Sequence, residues 1–457
     1  MTAKGMATAA HLAAEMRGRV LTPGDDDYDD ARTIFNAMID RRPEVIAQCE
    51  SPEDVAAAIR HGRESGLEIA VRGGGHSVAG TSLTDGGLVV DLSPMTGVRV
   101  DPVARTARVE GGATMSHLDR ATEPYGLATT GGRVSTTGVG GFALGGGTGW
   151  LDRKLGLACD NLVSVELVTA NGERVVASDD EHPELFWALH GGGGNFGVAT
   201  ALTFRLHEVP VVTAALLVWD PADGASVLRG YRDLIEGAPD DIGGGAFFVT
   251  GPDEEFVPRQ LVDRLTMLIL VTFTGPEDEA RRHLKPLLDL QPAGQHVEEM
   301  PYAELQCMLD DPPGWRNYWS AEHLGSLPDD AVDAFVGATD GLIIPSASQH
   351  VLFPGGGLAG RTESDHPLPW RHAPWVAHPF ALWMDPADDE RAREWTRSVR
   401  RAVQPWATGD VYLNFTTNEG ADRTRAGFGA GWDRLVAVKR DHDPDNVFRL
   451  NHNIDPS

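Results

Sequence analysis

Residues 71–80 read "VRGGGHSVAG": a short apolar lead-in, three consecutive glycines, a single histidine and a further glycine at Gly80. Glycine clustered this way marks backbone that something approaches closely, or backbone pushed to positive φ. Upstream, Ser51-Pro52-Glu53-Asp54 has the signature of a helix start, with a serine cap, a first-turn proline and first-turn acids. Val55, Ile59 and the intervening alanines supply its buried face, and Gly66 ends it. Leu67–Val71 and Gly87–Leu92 are apolar enough for strands on either side of the loop. The local order is helix, strand, glycine loop, strand: an α+β pattern around a turn that faces a ligand.

Further along, Val98–Val100 and Ala107–Glu110 are expected to pair across the turn at Asp101-Pro102. Leu162–Thr169 and Glu173–Ala177 flank Asn171-Gly172, a strong hairpin signal. A short helix at Leu185–Leu189 and a strand at Val198–Leu206 bracket a second glycine cluster, Gly191–Gly197. After about Pro210 the texture changes. Val218–Ile235, Thr266–Thr274, Glu277–Leu290, Gln349–Phe353 and Pro379–Trp383 read as alternating strands and helices. Asp385-Pro386 caps a helix whose Trp395, Val399 and Val403 share one face. Trp315, Tyr318, Trp319, Phe353 and Trp383 give this half an aromatic-lined surface, so a sheet with helices behind it is expected. No period assigns Gly243–Leu261. A helix-like stretch at Trp432–Val438 precedes the tail.

Three known glycine-rich motifs can be tested against the chain, and none finds the context it requires. No lysine follows any cluster at Walker spacing. Gly75-His76-Ser77-Val78-Ala79 approximates a hydrolase nucleophile elbow, but no helical period follows the serine. Gly138-Val139-Gly140-Gly141-Phe142-Ala143 matches a dinucleotide fingerprint, yet Gly145-Gly146-Gly147 would each cost about 1 kcal/mol inside the required helix. That stretch is therefore expected to be a loop. What remains is a set of loops whose amide N–H groups converge on an anion, a nest suited to a pyrophosphate.

Composition agrees with such a cradle. The 457 residues carry a net charge of −28, which repels nucleic-acid backbones and anionic membrane surfaces. Backbone dipoles hold an anion without adding basic side chains. No window approaches the length of a membrane span, and Met1–Arg19 lacks a leader pattern, so a soluble, cytoplasmic protein is expected. The three cysteines, Cys49, Cys159 and Cys307, are too few and too scattered for a disulfide framework or a zinc site.

Taken together, these stretches resemble the flavin oxidoreductases related to vanillyl-alcohol oxidase, and within them the berberine-bridge-enzyme-like branch. "VRGGGHSVAG" is similar to that branch's pyrophosphate loop, and "STTGVGGFALGGGTGWLDRKLGLACDNL" to its second flavin loop. "HPELFWALHGGGGNFGV", "YLNF" and "RDHDPDNVFRLNHNI" resemble the later returns to the cofactor. The resemblance implies a two-part FAD-binding domain of PCMH type over residues 1–210, its core at about 40–208. An α/β substrate domain, an antiparallel sheet backed by helices, would span 211–405, and a C-terminal return to the flavin domain 406–457.

It also implies FAD bonded through His76 to the flavin's 8α-methyl carbon, in keeping with a neutral imidazole as nucleophile. Many members carry a second bond from a cysteine where this chain has Val134, so a single attachment is expected; Cys159 lies outside the motif. By the same resemblance, Arg72, Gly73, Gly74, Gly75, His76, Ser77, Val78 and Gly80 wrap the pyrophosphate. Thr137 sits beside the reactive flavin carbon, Gly138, Gly141 and Phe142 border the ring, and Gly197 and Val198 reach the cofactor through backbone. Phe142 replaces a frequent polar residue.

The implied reaction is a hydride transfer from an alcohol or activated C–H carbon, with molecular oxygen reduced to hydrogen peroxide. Tyr412 would take the substrate proton, given neighbours that lower its pKa, and Asn414 would touch the flavin edge. Tyr318, His350 and Trp383 are candidates for the substrate face, which suits an aromatic or polycyclic small molecule. A dehydrogenase, an oxygenating enzyme, a sugar oxidase and a non-catalytic flavin carrier are the alternatives on the same sequence.

Overall fold

The computed structural model describes residues 3–311 and 314–457. The helix beside the opening loop runs Pro52–Ser65. The Ser51 hydroxyl accepts the Asp54 N–H at 3.2 Å, and Gly66 at φ 67° provides the left-handed stop. Val55, Ile59 and the alanines of its inner face pack on a four-stranded sheet ordered Arg19–Leu21, Val45–Gln48, Leu88–Asp91, Ile69–Arg72. The last three strands are mutually parallel, so the glycine loop leaves the carboxyl end of Ile69–Arg72.

A second, antiparallel sheet follows, ordered Val98–Asp101, Thr106–Glu110, Val198–Arg205, Leu162–Val168, Arg174–Ala177. The two expected hairpins are both in it. The fingerprint-like stretch departs from expectation: Val139–Leu144 is a helix, not a loop. It is short enough to end at Gly145, so the three following glycines never enter it and their helical cost is never incurred. The short helix of the second glycine cluster spans Pro183–Ala188.

The third sheet is antiparallel and holds the strands of residues 212–383. Its order is Gly294–Met300, Val212–Trp219, Leu265–Phe273, Ile242–Thr250, Gln349–Pro354, Trp375–Trp383, Arg316–Trp319, and Glu322–Leu324 also pairs with Trp375–Trp383. Of the stretch without a readable period, Gly243–Leu261, the first part lies in its strand Ile242–Thr250 and the rest forms turns. Three glycines hide the β pattern there for a steric reason. A Cβ on Gly244 would stand 2.0 Å from the Leu270 carbonyl oxygen, and its φ is 132°.

Helices Gly224–Gly237, Glu277–Leu288, Asp329–Gly337 and Asp389–Val403 cover one face of this sheet. Leu217, Ala246, Phe248, Leu352, Ala377 and Trp383 point into that helix-backed core. Their neighbours Leu216, Phe247, Val351 and Phe353 point the other way, because successive strand side chains alternate. The fold is thus of the expected α+β class, with smaller sheets before an antiparallel sheet backed by helices. Among the described residues, no helix is long and apolar enough to cross a membrane.

Candidate active site

A cavity of about 280 Å³ lies between the glycine loops and the helix-free face of the third sheet. One wall is backbone. Gly73–Ser77, Gly138, Gly141, Gly145 and Gly191–Gly194 line it. Gly74 and Gly138 bring two loops into close contact: a Cβ on Gly74 would stand 2.5 Å from both the Cα and the N of Gly138. Among the described residues, the N–H groups of Gly74, Gly75, His76, Ser77 and Val78 donate to no backbone carbonyl. Amides without a carbonyl partner beside glycines are the raw material of an anion cradle. Gly74→Ala should therefore cost about 1–3 kcal/mol of stability through overpacking and strip the protein of flavin. Denaturant midpoint and the visible-to-ultraviolet absorbance ratio check the two effects.

His76 stands at the mouth of this cradle, stacked on Phe35 with centroids 3.8 Å apart. Phe35 is itself anchored, its N–H donating to the Gly75 carbonyl at 3.0 Å. Burial holds the imidazole pKa down, to about 4, so the ring is neutral at physiological pH. Its Nε2 is buried and has no hydrogen-bond partner. An orphaned, uncharged ring nitrogen on a residue that lines the cavity is one that a bond from a cofactor would satisfy.

The opposite wall is apolar and aromatic: Trp150, Phe247, Trp319, Val351, Phe353 and Phe380. Arg133 crosses between the walls. Its guanidinium lies 4.1 Å from the Phe353 ring centre and 5.1 Å from that of Trp150, and it pairs with Asp152 at 3.7 Å. His378 stacks on Phe415 at 4.3 Å, and its Nδ1 bonds the Ser320 carbonyl at 2.7 Å. Burial lowers its pKa to about 4, so it too is neutral.

The structure brings many of the expected residues together here. Gly73, Gly74, Gly75, His76, Ser77, Val78, Thr137, Gly138, Gly141, Phe142, Tyr412 and Asn414 all line the cavity, as does Val134, which offers no thiol. Others lie elsewhere. The Arg72 guanidinium turns away to the Ala31 carbonyl, and a Cβ on Gly80 would meet Ile39. Gly197 packs against the Val168 carbonyl, and Val198 sits in the core under the first sheet. Cys159 is buried in the core of the second sheet.

Three substrate-face candidates need correction. His350 stacks on Phe335 at 3.8 Å and its Nε2 bonds that residue's carbonyl. Trp383 donates its indole N–H to Asp389 at 2.9 Å, and Tyr318 packs on the same helix-backed core. All three occupy strand positions whose side chains face the helices. The cavity is served by the alternate set, Gln349, Val351, Phe353, His378, Phe380 and Trp319.

Tyr412 also differs from expectation. Its hydroxyl accepts the Asn414 amide at 3.1 Å and the Thr148 N–H at 3.4 Å. Burial outweighs those bonds and pushes the phenol up to about 12, the reverse of what a proton acceptor requires.

Sequence reasoning missed Arg133, Asp311, Asn451 and His452, all of which line the cavity. Arg133 had a signal, as a lone cation inside a glycine cluster. Asn451 and His452 stand in the tail motif, and they reach the cavity because Asn451 bonds the Gly194 carbonyl at 2.9 Å and Asn195 bonds the His452 carbonyl at 3.1 Å.

Comparison with known proteins agrees with this geometry. Residues 43–178 match the family model "FAD binding domain", and 411–455 match "Berberine and berberine like". The (R)-6-hydroxynicotine oxidase of Paenarthrobacter nicotinovorans is 32% identical, over 96% of this chain and 97% of its own. The FAD-linked oxidoreductase YgaK of Bacillus subtilis (strain 168) is 31% identical, over 97% and 98% respectively. The crystal structure of 6-hydroxy-D-nicotine oxidase from Arthrobacter nicotinovorans superposes with a TM-score of 0.86 at 30% identity, covering 97% of this chain and 98% of that one. With a backbone cradle, an orphaned histidine and full-length relatives that agree, the chain belongs to the berberine-bridge-enzyme-like FAD-linked oxidoreductases of the vanillyl-alcohol oxidase superfamily.

Proposed function

We propose that the protein is an FAD-dependent oxidase that removes a hydride from a CH–OH or activated C–H carbon of a small aromatic or polycyclic metabolite, with oxygen as the final acceptor and hydrogen peroxide as its product. Bound FAD supplies the hydride acceptor and the two-electron store that oxygen empties. One observation carries the reading: the cavity joins a lysine-free amide cradle to a wall of aromatic side chains. The cradle suits the cofactor's pyrophosphate, and the wall accepts flat rings by stacking. A relative named for 6-hydroxynicotine, an aromatic ring compound, supports that substrate class.

In this reading residues 1–210 and 406–457 hold the cofactor, and 211–405 supply the substrate face. His76 would bond the 8α carbon through a ring nitrogen, and Val134, which offers no thiol, would leave the attachment single. Tyr412 stays protonated. With its oxygen accepting N–H bonds, its own hydrogen is left to donate to what the cavity holds.

The test is anaerobic mixing with a panel of aromatic alcohols and amines, followed by air. An oxidase bleaches with its substrate and then yields one peroxide per substrate oxidised. Bleaching without peroxide makes it a dehydrogenase, and no bleaching by any compound defeats the proposal.

A further inference from the structure

Oxidation of a CH–OH or CH–NH group removes a proton as well as a hydride, so a base is needed, and Tyr412 at about 12 is not one. Among the described residues, Asp311 is the one carboxylate that lines the cavity. We propose that Asp311 is the catalytic base that takes the substrate's O–H or N–H proton, an inference that rests on the oxidase reading above.

The placement of Asp311 is built in. Its neighbour Asp310 is clamped to the second flavin loop, accepting the Ser135 N–H and the Ser135 hydroxyl at 2.6 Å each. On the other side, Leu309 packs in the cluster that holds Phe247, Val351 and Phe353 of the sheet face. The segment thus bridges the flavin loop and the substrate wall, with Leu309 and Asp311 both lining the cavity. Asp311 Oδ2 is buried and has no hydrogen-bond partner among the described residues, and the next two residues are prolines, which carry no N–H to offer. A buried carboxylate oxygen left without a donor is costly unless function uses it.

Its chemistry fits the task. Burial, reinforced by the adjacent Asp310 charge, raises the carboxyl pKa to about 8, close to where a general base works best. The other titratable groups around the cavity do not compete in that range, and burial lowers the His452 imidazole as well. His76 and His378 are neutral above about 4. Tyr412 is protonated to about 12, and Arg133 is paired with Asp152. In the step itself the substrate's O–H or N–H bond breaks and an O–H bond forms on Asp311 Oδ2. The neighbouring carbon loses its hydride and its two electrons to the bound cofactor, leaving a C=O or C=N double bond.

The experiment uses holoprotein. Flavin bleaching is followed anaerobically from pH 6 to 10, with substrate affinity measured separately. In the wild type the rate should rise as pH climbs through about 8, since the ionised carboxylate is the active form. Asp311→Asn should keep its flavin and substrate affinity but bleach about 10²–10⁴-fold more slowly, without that rise. Asp311→Glu should retain the rise, and it carries the test if the asparagine variant loses flavin. Independently of turnover, infrared titration of substrate-free holoprotein should show a carboxylic-acid C=O band that vanishes near pH 8 and is missing in Asp311→Asn. An asparagine variant with wild-type rate and pH profile, a glutamate variant with no rise, or an Asp311 already ionised at pH 6 overturns this proposal alone. A yellow wild type that no substrate bleaches overturns the oxidase reading, and this proposal with it.

Discussion

His76→Ala protein should lose all of its colour to the supernatant when precipitated in acid, whereas the wild-type polypeptide should stay yellow. Acid unfolds the chain and abolishes the amide cradle, so only a covalent bond can hold flavin through that treatment. The wild-type ring is prepared for one. Burial keeps it uncharged, with a pKa near 4, and Phe35 fixes its plane at 3.8 Å. Its Nε2 has no competing partner. The variant keeps the free amides of residues 74–78, so it should still take up FAD reversibly and be emptied by dialysis against high salt or mild denaturant. A yellow acid pellet from the variant would move the attachment elsewhere, and a colourless wild-type pellet would make the binding non-covalent.

The second large effect is far from the chemistry. Lys439→Met should lower stability by about 3–5 kcal/mol, as breaking a buried ion pair from one side does. Lys439 and Asp443 are both fully buried, one helical turn apart and 2.7 Å from each other. The ammonium also donates to the Asn195 carbonyl at 2.7 Å and the Phe448 carbonyl at 2.9 Å. Asp443 in turn accepts the N–H groups of Val447 and Phe448. One cation therefore staples the C-terminal return to the second glycine cluster, which lines the cavity along with Asn451 and His452. Urea denaturation should show the loss in midpoint, and reversible FAD affinity in a His76→Ala background should fall with it. Lys439→Met combined with Asp443→Leu should recover part of the stability, because no buried charge is then left alone. Unchanged midpoints in the single variant would refute the staple.

How much of this was legible in the chain depends on the range of the interaction involved. The helix Pro52–Ser65 was readable because its cap, first-turn proline and glycine stop are all local. The hairpin at Asn171-Gly172 was readable for the same reason. The order of the glycine clusters pointed to a pyrophosphate cradle, since each loop carries its own amides. Local logic failed at Val139–Leu144, where glycines just beyond a helix were read as glycines within it. It failed again at Ile242–Thr250, where glycines dictated by the approach of a neighbouring strand concealed a central strand.

Assignment of the sheet's faces was beyond its reach. His350 and Gln349 are adjacent in a strand, and one-residue alternation sends the first to the helices and the second to the cavity. Both are polar, so nothing in the sequence ranks them. The raised pKa values of Tyr412 and Asp311 were equally out of reach, because in both burial is the largest cause and burial is set by the tertiary fold. By itself, then, the chain pointed to the cofactor class, since the glycine-rich loops that carry its motifs are local chemistry. Only tertiary packing decided which strand residues line the cavity and which acid is buried beside it, because burial and strand facing exist once the chain is closed on itself.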